Sequence, residues 1–184
     1  MRLLRLVPSL LLFIVAAPLV AQEVAVEQLT LDQLYSSRDF FGQRFGPARW
    51  LDGGMYTTLE RSADTPGGRD IVKHNAQNDE HEILVAAATL VPAGQEQPLS
   101  ISNYIWSADH SRLLIFTNTR RVWRANTRGD YWVLDLASGE LRQLGGDAPE
   151  SSLMFAKFSP DGTRVGYVSE NNIYVEDLAT GNIT

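Results

Sequence analysis

The residues best suited to binding a ligand are concentrated in a short stretch between Thr117 and Asp130. This stretch contains four arginines and one tryptophan, namely Arg120, Arg121, Trp123, Arg124 and Arg128. An arginine side chain is a planar, permanently charged fork of hydrogen-bond donors that suits carbonyl and carboxylate oxygens. Most arginines at protein surfaces are simply solvated, so residue type alone leaves both interpretations open.

A second group of residues has side chains capable of binding a metal ion. These are His74, Asp79, Glu80, His81 and Glu82. Their spacing matches no metal-binding motif with a known geometry. The polar tip of a hairpin between the apolar runs 71–72 and 83–85 explains the group equally well. We therefore predict no metal site, and nothing in the sequence indicates a cofactor.

Both groups lie within a sequence that repeats itself. Residues 106–116 align position by position with residues 158–168, and residues 133–139 align with residues 175–181. A fainter third copy occupies residues 50–59. Repeats of this size are single supersecondary units, each of which buries its apolar faces against its neighbours.

The spacing within the two clear copies differs by ten residues. Asp109 and Asp161 are 52 positions apart, whereas Asp135 and Asp177 are only 42 positions apart. The first of these copies therefore carries a ten-residue insertion, and it falls in the arginine-rich stretch described above. Loops on one face of a repeat array are where such folds usually place their binding groups.

The last copy gives the clearest prediction of secondary structure. Strands are predicted to end at Phe158, to cover 164–168 and 173–178, and to begin again at Ile183, with a tight turn at 159–162. Four antiparallel strands with short connections form one blade of a β-propeller. A β-sandwich has similar strand spacing, but the turn motif at a fixed place in each unit favours the propeller. We predict an all-β fold with about two and a half four-stranded antiparallel blades.

The chain is predicted to have three segments. Residues 1–21 have the basic start and apolar run of a signal peptide, with an uncleaved membrane anchor as the alternative. Residues 22–48 form an N-terminal helix, with a capping box at Thr30 and Gln33, and a lead-in loop. Residues 49–184 form the propeller, which is incomplete because a ring needs four to eight blades. We expect an exported protein, periplasmic in a bacterium or secreted, that is part of a longer polypeptide or pairs with further protein.

Composition excludes several classes of function. The formal net charge of -6 argues against a nucleic-acid partner. The absence of cysteine excludes disulfides, thiolate metal sites and a cysteine nucleophile. No Gly-x-Ser-x-Gly elbow occurs in the 184 residues, and the three histidines lie in no setting that suggests a catalytic triad. We therefore assign no catalytic residue to this chain.

Several stretches resemble the N-terminal region of the dipeptidyl peptidase IV family of secreted serine exopeptidases. The resemblance runs from about Leu29 to Thr184 and is carried by residues 45–54, 56–60, 107–110 and 122–125. It implies a propeller of roughly eight blades joined to an α/β-hydrolase domain, with the active site between them. It also implies release of dipeptides from free amino termini, with proline or alanine preferred as the second residue.

The resemblance gives the arginine-rich insertion a specific role. The arginine of the family's tryptophan-arginine pair binds the carbonyl of the substrate's N-terminal residue, and in this sequence it corresponds to Arg124, with Trp123 as a supporting ring. Trp50, Trp106 and Trp132 are interpreted instead as blade packing.

The implied partners are peptide substrates with a free N-terminus, a C-terminal α/β-hydrolase domain and, for the full-length parent, a second copy in a homodimer. The glutamates with which the family binds the substrate ammonium lie beyond the aligned region, so these residues alone are expected to be inactive. The alternative is a non-catalytic periplasmic propeller that binds a protein or envelope partner.

Overall fold

A computed structural model describes residues 29–38, 40–41, 46–78 and 80–184 of the chain. The predicted signal peptide and residues 22–28, 39 and 42–45 of the N-terminal segment lie outside these residues. The chain divides into two compact units, residues 1–43 and 44–184. The described residues form one α-helix, α1 (Leu31–Tyr35), and eleven strands, β1 (Arg49–Trp50), β2 (Met55–Arg61), β3 (Arg69–Asn75), β4 (His81–Val85), β5 (Asn103–Trp106), β6 (Arg112–Val122), β7 (Ala125–Asp135), β8 (Leu141–Gln143), β9 (Leu153–Phe158), β10 (Arg164–Ser169) and β11 (Asn172–Asp177).

The helix α1 begins with the capping box that the sequence predicts. The Thr30 hydroxyl accepts a hydrogen bond from the Gln33 backbone N–H at 3.2 Å, and the Gln33 side chain accepts one from the Thr30 N–H at 3.0 Å. This reciprocal pair satisfies backbone donors that the first turn of a helix leaves unpaired. Among the described residues, no helix has the length and apolar character needed to cross a membrane.

The strands form three consecutive antiparallel groups, which we call modules 1, 2 and 3. Module 1 contains β1 to β4 and module 2 contains β5 to β8, each paired in chain order. Module 3 contains β9 to β11, and Ile183 adds a single bridge to Glu176 where a fourth strand is predicted. The predicted all-β, partial propeller is therefore confirmed.

The repeated turn has the same construction in modules 2 and 3. The Ser107 hydroxyl donates to Asp109 at 2.6 Å, and the Ser159 hydroxyl donates to Asp161 at 2.6 Å. The hydrogen bond from Ser159, followed by those from Thr163, lowers the pKa of Asp161 to about 2. Gly162 has a φ of 68°, as the sequence predicts for the last position of the turn.

Two apolar cores lie between the modules, and module 2 contributes to both. Alternation along β6 sends Leu113 and Ile115 to the core shared with module 1, and Leu114 to the core shared with module 3. On β7, Leu134 and Val133 divide between the same two cores. Module 2 is thus covered on both faces, as expected for an inner unit of a stacked array.

Polar contacts also join modules 2 and 3. The Arg112 guanidinium donates to the Gly162 carbonyl at 3.0 Å and to Asp135 at 3.1 Å. Glu176, which is only 3% exposed, accepts the Gly145 backbone N–H at 2.9 Å. Burial of Tyr167, followed by the neighbouring Glu176 charge, raises the pKa of that tyrosine to about 12. A buried carboxylate remains tolerable here because it receives hydrogen bonds.

The tryptophans differ in how well they match the packing interpretation. Trp106 and Trp132 pack against the core between modules 1 and 2, and the Trp106 indole N–H donates to the Thr57 hydroxyl at 3.2 Å. Trp50 does not fit, because its side chain is 70% exposed and touches the Tyr56 ring edge-on. The interpretation of Trp50 as a packing residue is wrong, since the two-residue strand β1 lies at the edge of its sheet.

Candidate binding hairpin

The ten-residue insertion extends the hairpin formed by β6 and β7. Six regular pairs, from Arg112 opposite Asp135 to Thr117 opposite Asp130, correspond to the repeated part of the module. Beyond them the pairing continues to Val122 opposite Ala125, with two shifts of register on the way. The insertion therefore forms a projecting two-stranded arm, which we call the extension, and its turn contains only Trp123 and Arg124.

Trp123 and Arg124 are both exposed at the tip of the extension. Trp123 is 93% exposed and has a φ of 59°, a conformation that bulky residues rarely adopt. Its carbonyl accepts a hydrogen bond from Arg121 at 3.2 Å, which holds the turn. Arg124 makes no hydrogen bond or ion pair with any described residue. Its guanidinium is therefore available to an acceptor brought by another molecule, and its predicted role stays a prediction, as does that of the Trp123 ring.

The other arginines of the extension lie along its two strands. Arg120 and Arg128 are direct cross-strand partners, so two like charges share one face of the arm. Arg121 is opposite Asn126, which places it beyond the second register shift and closer to the tip. The extension is thus strongly cationic, while the chain as a whole carries a net charge of -6.

The base of the extension is packed against module 3. Arg128 is opposite Met154 and Gly129 is opposite Leu153, so β7 pairs with β9 and joins modules 2 and 3 into one sheet. A side chain at Gly129 would lie 2.4 Å from the Phe116 ring and 2.7 Å from the Thr117 carbonyl oxygen. The sequence does not predict this pairing. A glycine within an otherwise regular strand could have indicated the close approach of β6, but it gives no signal for pairing with β9.

The described residues of the second group, His74, Glu80, His81 and Glu82, lie on the hairpin that β3 and β4 form. His74 Nε2 lies 2.8 Å from Glu60 Oε1 and 2.9 Å from the Thr58 hydroxyl, and the His74 ring stacks on Tyr56 and His81. The hydrogen bond from Thr58 lowers the pKa of Glu60. Burial acts in the opposite direction, and the neighbouring His74 lowers the pKa further. Within the described residues, which leave out Asp79, no cluster of three or more potential ligands is arranged to hold a metal ion.

Comparison with known proteins connects the repeat and its extension to a family. Residues 107–184 match the family described as the dipeptidyl peptidase IV (DPP IV) N-terminal region. Dipeptidyl aminopeptidase B of Saccharomyces cerevisiae is 30% identical over 124 residues, which is 67% of this chain and 14% of the yeast protein. The probable dipeptidyl-aminopeptidase B of Tuber melanosporum is 24% identical over 164 residues, which is 86% of this chain and 17% of that protein. This chain contains an N-terminal propeller region of the dipeptidyl peptidase IV family.

A solved structure supports the same fold for this DPP IV-family region. The crystal structure of Porphyromonas gingivalis dipeptidyl peptidase 4 matches with a TM-score of 0.67 and 23% sequence identity. The match covers 85% of this chain and 21% of that one. The chain therefore spans less than a quarter of the length of each of these three proteins.

Proposed function

We propose that this chain is the N-terminal propeller portion of an exported serine dipeptidyl peptidase that releases N-terminal dipeptides ending in proline or alanine. In this proposal the 184 residues control access and position the peptide. Acyl transfer to a serine is carried out by a separate C-terminal α/β-hydrolase domain. The supporting observation is the exposed, unpartnered Arg124 at the tip of the only extended hairpin among the described modules, within a DPP IV-family region.

The chemical role of Arg124 is to hold the carbonyl oxygen of the first substrate residue. A hydrogen bond from a charged donor is stronger than one between neutral groups. Fixing this carbonyl sets how far the peptide enters, so that the bond after the second residue reaches the catalytic serine. Correct placement of reacting groups lowers the barrier by an amount on the order of several kcal/mol. Trp123 contributes by restricting the tip next to Arg124.

Export in this proposal depends on the predicted signal peptide at residues 1–21, which directs the protein to the periplasm or outside the cell. The free N-terminus of the substrate is recognised by groups outside these residues. A homodimer of the full-length enzyme is part of the proposal because the family resemblance implies it.

The test is a pair of substitutions in the full-length enzyme that contains this region. Arg124→Ala removes the proposed carbonyl donor and should lower kcat/KM for a Gly-Pro reporter by about 10- to 100-fold, the range for losing a charged hydrogen bond. Arg120→Ala removes another exposed charge from the same arm and should change kcat/KM by less than about twofold. Both variants should keep the wild-type thermal midpoint.

Equal turnover by the Arg124→Ala and wild-type enzymes would contradict the proposal. A parent protein without hydrolase activity would instead support the non-catalytic propeller, with the extension serving as a contact arm for a protein or envelope partner.

A further inference from the structure

The base of the extension is held by a closed set of hydrogen bonds among Asn118, Asp130 and Ser151, which we call the clamp. Asp130 is 8% exposed, and one of its carboxylate oxygens accepts from the Asn118 side-chain amide at 2.7 Å. The other carboxylate oxygen accepts the Ser151 backbone N–H at 2.6 Å. The Ser151 hydroxyl donates to the Asn118 carbonyl at 2.6 Å and closes the set.

The clamp joins three separate parts of the chain at one point. Asn118 lies on β6 just after the regular pairing ends, Asp130 lies on β7 opposite Thr117, and Ser151 lies in the segment leading to β9. Asn118 and Ser151 have φ values of 44° and 55°, in the left-handed region that residues other than glycine adopt uncommonly. The clamp therefore fixes the backbone at the place where the extension leaves the body of module 2.

The first register shift includes the clamp residue Asn118, and the second lies just beyond it. The pairing of β6 with β7 is irregular between Thr117 and Arg120 and again between Arg120 and Arg121. Bulges of this kind bend a hairpin and redirect the residues beyond them. Closer to the tip, the Asn126 amide donates to the Thr119 hydroxyl at 2.8 Å and stiffens the arm. A rigid arm on a bent base makes the direction of its tip depend on the base.

The length of the arm amplifies any change at the base. Arg124 is six positions after Asn118, which corresponds to ~20 Å of extended strand. A rotation of about 10° at the base would then move the tip by roughly 3 Å, which is as long as a whole hydrogen bond. Without the clamp, Arg124 would lose its place relative to any fixed substrate.

We propose that Asp130 is a positioning residue, which sets the direction of the extension through Asn118 and Ser151 and so places Arg124 at the substrate carbonyl. Asp130 itself does not touch the substrate. This inference rests on the proposed function of Arg124, and its test has one part that is independent of catalysis.

The first part measures the direction of the arm in the full-length protein. Ala125→Cys and Ala179→Cys, both at exposed positions, accept spin labels without background once any cysteine outside these 184 residues, which contain none, has been replaced. Pulsed electron spin resonance should give one narrow distance distribution for the otherwise unchanged chain. Asp130→Asn keeps the side-chain volume but replaces one acceptor oxygen by a donor, and should broaden or shift the distribution by several ångströms, roughly the tip movement estimated above.

Two further variants make this measurement decisive. Asp161→Asn changes a carboxylate of the repeated turn, outside the clamp, and should leave the distribution unchanged. Asn118→Ala removes one donor of the clamp and should broaden the distribution even if Asp130→Asn does not fold. An unchanged distribution in every folded clamp variant would overturn the inference.

The second part asks whether Asp130 acts through Arg124 in the full-length enzyme. Asp130→Asn should lower kcat/KM for the Gly-Pro reporter by roughly tenfold, because a misplaced group loses its effect on the transition state. In the Arg124→Ala background, Asp130→Asn should lower kcat/KM by less than about a further twofold, because the group that Asp130 positions is already missing. If Asp130→Asn lowered kcat/KM by the same factor in the wild-type and Arg124→Ala enzymes, the positioning role would be overturned. A neutral Arg124→Ala would instead contradict the proposed function, while the distance measurement would still test the clamp.

Discussion

The hairpins of modules 2 and 3 are the same structure up to a defined pair of residues and differ completely beyond it. Both contain six consecutive pairs, Arg112 to Thr117 opposite Asp135 to Asp130 in module 2, and Arg164 to Ser169 opposite Asp177 to Asn172 in module 3. Module 3 then closes at once with Glu170 and Asn171. Module 2 instead has twelve residues, 118–129, at the same place.

The two turns show which hairpin is shaped only by folding. Glu170 and Asn171 have φ values of 47° and 67°, the two positive values that a tight two-residue hairpin needs. Module 2 places the bulky Trp123 at a φ of 59°, a choice that local stability does not favour. The shared pairs provide the scaffold. Folding stability does not explain the inserted residues, and we attribute them to binding.

The largest effect on stability is expected where the extension leaves the scaffold. A Cβ at Gly129 would overlap the Phe116 ring and the Thr117 carbonyl, whereas a Cβ at Gly166 would meet its nearest atom, the Tyr174 carbonyl oxygen, at 3.8 Å. Gly129→Ala should lower the free energy of unfolding by about 2 kcal/mol or more, measured by urea denaturation. Gly166→Ala should be neutral or stabilise by about 0.5 kcal/mol. Equal effects at the two positions would show that the base of the extension is not tightly packed.

A smaller effect is expected from the arginines that occupy the same place in the two hairpins. Arg112 reaches the Gly162 carbonyl of the next module, but the aligned Arg164 makes no hydrogen bond to another module within the described residues. Arg112→Ala should cost about 1 kcal/mol of unfolding free energy, a value reduced because the Arg112–Asp135 pair is partly exposed. Arg164→Ala should change it by less than about 0.5 kcal/mol. A larger loss for Arg164→Ala would contradict the contact between modules 2 and 3 described above.

The smallest expected effect is the acid sensitivity of the repeated turn. Hydrogen bonds from Ser159 and Thr163 lower the pKa of Asp161 to about 2 in the folded chain, against about 4 in an unfolded one. Because the folded value is the lower one, the ionised carboxylate stabilises the fold above about pH 4, and this stabilisation is lost as the pH falls from about 4 to about 2. Thermal midpoints of Asp161→Asn should therefore fall less steeply over this range than those of wild type. Parallel curves of thermal midpoint against pH for the two proteins would contradict the lowered pKa of Asp161.

The elements that depend on local sequence are predictable here, and those that depend on how modules approach are not. The turn at Asp161 and the ten-residue insertion follow from residue types and spacing in the repeat. The pairing of β7 with β9 has no local signal, because it exists only once modules 2 and 3 have docked. Glu176 is an intermediate case. It occupies the repeat position of the buried Leu134, so a charge at an apolar position could have indicated the buried hydrogen bonds that it makes.

The candidate site likewise has one part that the sequence predicts and one part that it does not. Alignment predicts that Arg124 belongs to an insertion, and the structure adds that it lies at the tip of a paired arm. The clamp at Asp130 is not predictable from the sequence, because Ser151 is 21 residues away along the chain and meets Asp130 only in the folded state.

The most direct test of the account replaces the extension by the turn of the neighbouring hairpin. In the full-length enzyme, residues 118–129 are exchanged for the Glu-Asn pair found at 170–171, which joins Thr117 to Asp130 as Ser169 is joined to Asn172. We predict a folded protein with a thermal midpoint below that of wild type, because the pairing of Arg128 and Gly129 with β9 is lost. Its turnover of a Gly-Pro reporter should fall by at least about 100-fold, since the group that positions the substrate is gone. Turnover within a few-fold of wild type in a folded protein would contradict the account.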